Sequence, residues 1–126
     1  MVKTEIEAVV RKTEFNIFSL ADAVGGREKL RSWSIYRQAI INGLEPESIV
    51  GTIFWQIKSI ILSKDAKSAT ETGLNPFVFS KSKKYSHLYS DLELKKILKN
   101  LIVIYHNAHR GLVDLEMGVE KMVLEN

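Results

Sequence analysis

The chain has 126 residues and a mass of 14.3 kDa, with 45% hydrophobic and 26% charged residues, which suits one domain and argues against intrinsic disorder. It contains no cysteine, so disulfide frameworks, cysteinate zinc sites, cysteine nucleophiles and cysteine-held iron–sulfur clusters are excluded. The formal net charge is +3, too small an excess to define a partner by itself.

Met1 to Glu5 is too charged and too short on apolar residues for a signal peptide. The most apolar stretch, Ile49 to Leu62, is shorter than a bilayer span and is broken by Gly51, Thr52, Gln56, Lys58 and Ser59. A soluble protein of the cytoplasm, without membrane contact, is the expectation. Charge is unevenly spread. Arg27, Lys29, Arg31 and Arg37 face one acid, Glu28, within residues 27–37. Lys58, Lys64, Lys67, Lys81, Lys83 and Lys84 face only Asp65 and Glu71, whereas Asp114, Glu116, Glu120 and Glu125 make the tail acidic. Solvated helix faces account for most of this bias; a surface for nucleic acid is the other reading.

Helical spacing runs through the whole chain, and no strong hairpin turn pair or internal repeat interrupts it. Thr4 to Lys12, with Ile6, Val9 and Val10 on one side, reads as a short amphipathic helix or the remnant of a longer element. Asn16 is placed to cap a helix from Ile17 to Val24, stopped by Gly25-Gly26. A longer helix is expected from Arg27 to about Asn42, with Leu30, Trp33, Arg37 and Ile40 along one side, the Arg37 guanidinium in water and Gly43 just past its end.

Glu45-Pro46-Glu47 starts the next helix, where proline costs no hydrogen bond and acids meet the positive end of the dipole. Ile49, Ile53, Ile57 and Ile60 form one line and Val50, Phe54 and Ile61 another; Trp55 and Leu62 widen the apolar surface. Thr52, Gln56, Ser59 and Ser63 leave a narrow polar strip. Such a helix is expected at the centre of the domain, or with one side given to another subunit.

A turn at Thr72 to Asn75 precedes a short basic helix from Pro76 to Tyr85, with Asn75 as its cap. Ser90 and Glu93 form a capping-box pair, flanked by Tyr89 and Leu94 as a hydrophobic staple. The helix that follows carries Leu94, Ile97, Leu98, Leu101, Tyr105 and Ala108 on a broad face that Ile102 and Val103 extend. Gly111 ends it, and Asp114 caps a last short helix with Leu115, Val119 and Met122 in a stripe.

Chemistry-bearing patterns are sparse. His106 and His109 share a helix face but have no evident third ligand, so surface histidines are the reading over a metal pair. Gly25-Gly26-Arg27-Glu28-Lys29 lacks the spacing of either glycine-rich phosphate loop. No catalytic constellation or cofactor motif is evident, and the chain is read as non-catalytic. The run Ser80 to Tyr85 is the most suggestive. Lys81, Lys83 and Lys84 could contact phosphates and Tyr85 or Tyr89 could stack on an unpaired base; the bland reading is a solvated helix anchored by Phe77 and Phe79.

Four stretches carry a family resemblance: Asn16 to Arg27, Glu45 to Val50, Phe54 to Leu62, and Asn75-Pro76-Phe77-Val78, followed by two helices with Ala108-His109-Arg110-Gly111 near the end of the first. Their order resembles the C-terminal collar domain of the delta subunit of bacterial DNA polymerase III, a clamp-loader subunit. The resemblance implies a compact all-α domain of five to seven helices. It also implies a division into residues 1–15, an N-terminal helix or interdomain remnant, and residues 16–126, the collar or oligomerisation domain. The family's ATPase-like N-terminal module has no counterpart here, so the chain is expected to be one domain of a longer protein. The implied partners are the other clamp-loader subunits through the collar, with the sliding clamp and primer–template DNA reached through the full assembly. Trp55, Ile57, Leu62, Ile102 and Val103 are the expected subunit-interface residues, on the ground that one core face per helix does not consume them all.

Overall fold

A computed structural model describes residues 18–125. Among these residues the secondary structure is entirely helical, in seven helices: α1 (18–25), α2 (Lys29–Ile41), α3 (Pro46–Lys64), α4 (Ala69–Thr72), α5 (Pro76–Ser86), α6 (Asp91–His109) and α7 (Leu115–Glu125). The fold is all-α, as the spacing predicts. Thr4 to Lys12 and the Asn16 cap lie outside the described residues.

The helix boundaries follow local chemistry. Pro46 and Pro76 stand in the first turns of α3 and α5. Asn75 Oδ1 accepts the Phe77 N–H at 2.8 Å. Ser90 and Glu93 form both halves of the capping box, and Asp114 accepts the Glu116 N–H at 2.9 Å. Gly43, Gly73 and Gly111 take the left-handed backbone conformation just beyond α2, α4 and α6.

α3 is the central element and touches α4, α5, α6 and α7. Ile49, Ile53, Ile57 and Ile60 are wholly buried, in one core with Leu94, Ile97 and Leu101 of α6, Val119, Met122 and Val123 of α7, and residues of α1 and α2. The polar strip is the unexpected part. Gln56, Ser59 and Ser63 are buried, and so are Ser82 and Ser86 of α5, the helix with which α3 shares most contacts. Small side chains let those two helices pack closely, so this seam is sealed by shape rather than by bulk.

Two glycines serve the same end. A Cβ on Gly25 would lie 2.6 Å from the Tyr85 ring, and one on Gly118 would lie 2.8 Å from Ile104. Both positions therefore exclude any side chain without movement of a neighbour.

α2 corrects the expected face. Its buried residues are Ser32, Ile35, Tyr36 and Ala39, whereas Leu30 is 76% exposed and Trp33 is partly exposed. Tyr36 decides the rotation: its ring is fully buried and its hydroxyl donates to the Glu116 carbonyl of α7 at 2.5 Å. Arg37 is not simply solvated. Its guanidinium lies 3.3 Å from Glu116 and 3.0 Å from Glu120, so the acidic tail is held by α2.

Candidate functional site

The expected interface residues separate into two groups. Trp55, Leu62, Ile102 and Val103 are 43%, 44%, 43% and 44% exposed, large apolar side chains left on the outside of the two longest helices. Ile57 is 0% exposed and belongs to the core. Its place in the interface set is corrected: the Ile49–Ile53–Ile57–Ile60 line is the inward one, and Ile57 has no surface to offer a partner. The exposed strip of α3 is instead Ser48, Gly51, Trp55, Lys58 and Leu62.

Three of these four side chains line separate depressions, whereas Leu62 borders none of them. Trp55 borders a groove of about 260 Å³ between α1, α3 and α5, together with Phe18, Phe77, Val78 and the stem of Lys81. Ile102 borders a larger groove of about 510 Å³ between α3 and α6, with Val50, Gly51, Phe54 and Tyr105. Val103 faces the opposite side of α6, near Val113 and Lys121 of the α7 region. The apolar excess read from the two helices is therefore distributed over more than one face.

The basic run behaves differently from its appearance in the sequence. Lys81 Nζ sits 2.9 Å from both carboxylate oxygens of Asp22 on α1 and lies over the Phe77 ring. Lys83 Nζ donates to the carbonyls of Lys64 and Ala66, each at 2.8 Å. Lys64 is the last residue of α3 and Ala66 lies two residues beyond it, so Lys83 caps the C-terminal end of α3 from α5. The Tyr85 ring packs under Gly25 and its hydroxyl lies 3.4 Å from Asp22. Burial and then the Asp22 charge push its phenol up from the ordinary value. Of the four residues expected to meet DNA, only Lys84 is exposed and without a salt bridge or hydrogen bond to another side chain among the described residues. The internal engagement of Lys83 has a physical reason: a lysine on a short helix beside a helix C-terminus has carbonyls within reach.

A second set of charges ties turn to turn, and sequence reasoning passed over it. Arg27 adopts a left-handed backbone conformation, with φ of 55°, directly after Gly25-Gly26. Its guanidinium donates to the Leu88 carbonyl at 2.8 Å, pairs with Glu93 at 2.8 Å and lies 4.7 Å from the centre of the Tyr89 ring. The Tyr89 hydroxyl donates back to the Val24 carbonyl. Burial pushes the Tyr89 phenol up to about 12. Lys64 makes a parallel link, donating to the Tyr89 carbonyl at 2.9 Å and pairing with Asp91 at 2.8 Å. The available sequence signal was an arginine after a glycine pair, with an acid in a capping box downstream.

Of the two histidines near the end of α6, His109 has partners of its own. The His109 ring meets Tyr105 edge-on at 4.3 Å and lies 3.9 Å from Glu47. Among the described residues no group of three or more histidine and carboxylate side chains is placed to hold a metal ion. No helix there is long and apolar enough to cross a membrane.

Together these features define an all-helical domain whose polar side chains mostly join its own helix ends, leaving large apolar side chains on the outer faces of α3 and α6. The chain belongs to the family described as DNA polymerase III delta subunit, C-terminal domain, whose model matches residues 14–126. It is 25% identical over 125 residues to the DNA polymerase III subunit delta of Bacillus subtilis (strain 168), an alignment covering 93% of this chain and 36% of that protein. The chain thus spans about a third of the length of this relative. No solved structure matches. The family is that of a clamp-loader component which is not itself catalytic.

Proposed function

We propose that this chain is an assembly domain, the unit 16–126, which joins the hetero-oligomeric collar of a clamp loader in the cytoplasm. In the full assembly, such a collar holds ATPase-like modules at fixed positions, so that their changes reach the sliding clamp and primer–template DNA. The observation that carries this reading is the exposure of Trp55, Leu62, Ile102 and Val103 on helices whose core faces are already filled. Large aromatic and aliphatic side chains left outside a completed core favour burial against another chain, and Trp is favoured at interface centres. Family membership supports the choice of clamp-loader subunits as partners.

The alternative, a nucleic-acid-binding module using Lys81 to Lys84, has weaker support. Lys81 and Lys83 are already engaged with Asp22 and the end of α3, and redirecting them to phosphates would unpair those groups. Pulldown of this domain with the collar domains of the partner subunits tests the first reading, alongside Trp55→Ala. Failure of the unaltered domain to join, where the partner collars assemble, defeats it. Loss of joining in the variant alone, with its helical spectrum kept, puts Trp55 in or beside the contact. Tight, salt-sensitive binding of primer–template DNA, abolished by neutralising Lys81, Lys83 and Lys84 in a folded variant, would favour the alternative.

A further inference from the structure

α3 and α6 run antiparallel, linked at one end by Glu47 and His109, 3.9 Å apart, and at the other by Lys64 and Asp91, 2.8 Å apart. The groove between them has a volume of about 510 Å³ and an apolar floor of Val50, Phe54, Leu101, Ile102 and Tyr105. Gly51 forms part of one wall. It lies inside a helix, is exposed, and a Cβ added there would meet nothing within 4 Å. Glycine in a helix interior weakens the helix relative to alanine. At Gly25 and Gly118 a neighbouring side chain of this chain accounts for the choice. At Gly51 nothing among the described residues does.

Charge gives the groove a direction. Lys58 lies one heptad beyond Gly51 on α3, and Lys95 lies one heptad before Ile102 on α6, so antiparallel packing brings both toward the same end. Both are exposed and neither is within salt-bridge distance of an acid among the described residues, although Lys95, after Lys64, helps hold the Asp91 carboxyl low. The opposite end carries Glu47 beside His109.

We infer that this groove seats an amphipathic α-helix from a neighbouring protein subunit. That helix sets a small residue over Gly51, lays its apolar strip on Phe54, Ile102 and Tyr105, and brings a carboxylate to Lys58 and Lys95. The bare backbone at Gly51 lets a second helix axis approach closely, which a branched side chain would prevent. An apolar floor closed by an acid at one end suits such a helix better than a phosphate chain. That a clamp-loader subunit supplies the helix rests on the collar reading; the groove and its polarity do not.

The test uses this chain, the C-terminal domains of its partner subunits, and two variants, Gly51→Leu and the pair Lys58→Glu with Lys95→Glu. Dissociation constants and thermal midpoints are measured for each. Gly51→Leu is expected to keep or raise the thermal midpoint and to weaken assembly at least tenfold; the charge-reversed pair is expected to weaken it to a similar degree with its fold intact. Assembly unchanged in both variants overturns the groove and leaves the collar reading standing. Failure of the unaltered chain to join any partner overturns both. Two further outcomes also overturn the inference. One is self-association of the chain that Gly51→Leu abolishes, which makes a second copy the occupant. The other is duplex DNA binding that the charge-reversed pair abolishes while partner assembly persists, which makes phosphate the occupant.

Discussion

The guanidinium of Arg27 reaches Glu93 at 2.8 Å while the same carboxylate accepts the Ser90 backbone N–H at 2.9 Å. One side chain thus closes the capping box of α6 and fastens the α1–α2 turn to it. The Ser90 N–H, and then Arg27, pull the Glu93 carboxyl down from its ordinary 4.5 to about 2. A carboxyl depressed in the folded state stabilises the fold above its unfolded value, and that contribution is lost as pH falls through the folded one. Glu93→Gln is therefore expected to lower the thermal midpoint at pH 7, with the difference from the unaltered chain narrowing below pH 4.5 and closing near pH 2. A difference constant over that range would contradict the assignment.

Arg27 also tests the backbone at its own position. Arg27→Ala and Arg27→Gly both lose the guanidinium, but only glycine relaxes a φ of 55°. The glycine variant should be the more stable of the two, by about 1 kcal/mol in urea denaturation. Equal stabilities would mean that the left-handed turn carries no cost here.

Ile57 and Trp55 stand two residues apart on α3 and should separate stability from assembly. Ile57→Ala opens a cavity in the core and is expected to cost roughly 2–5 kcal/mol of unfolding free energy. Trp55→Ala removes a side chain that is 43% exposed, and should cost the isolated domain much less while weakening its association. Denaturant melts of both variants, beside the pulldown, check this; a Trp55 variant as unstable as the Ile57 one would make Trp55 a core residue.

Ser63 is fully buried, and its hydroxyl has no hydrogen-bond partner among the described residues. A buried group with no partner costs free energy. Ser63→Ala should leave stability unchanged or raise it by up to about 1 kcal/mol, since alanine keeps the close helix packing. A clear loss of stability on chemical denaturation would reveal a hydrogen bond that this geometry lacks.

Lys83 and its neighbour Lys84 form an internal control. Lys83→Met keeps the stem but removes both hydrogen bonds to the end of α3, and should cost about 1–2 kcal/mol. Lys84→Met should change stability by no more than about 0.5 kcal/mol. Equal effects would undo the C-cap role of Lys83.

The all-helical class, the order of the long helices and most helix ends were legible because they depend on neighbours in the chain. Proline in a first turn, Asn75 or Ser90 at a cap, and glycine after α2 and α6 act within one turn of themselves. The stripes in α3 and α6 were legible for the same reason: spacing fixes which residues share a side.

Only the tertiary structure decided which side turns inward. Spacing placed Leu30 and Trp33 on the apolar side of α2, but Tyr36 has a carbonyl of α7 to meet and Ala39 lets the helices close, so the helix is rotated away from that line. The serine strip of α3 read as polar, yet α5 offers serines of matching size, and close contact between small side chains outweighed their polarity. The basic run of α5 read as a surface for anions, yet Asp22 and the end of α3 lie within reach of its lysines. In each case the deciding partner is distant in sequence. A residue's own chemistry sets what it can bind; which group arrives to be bound is a property of the packed helices.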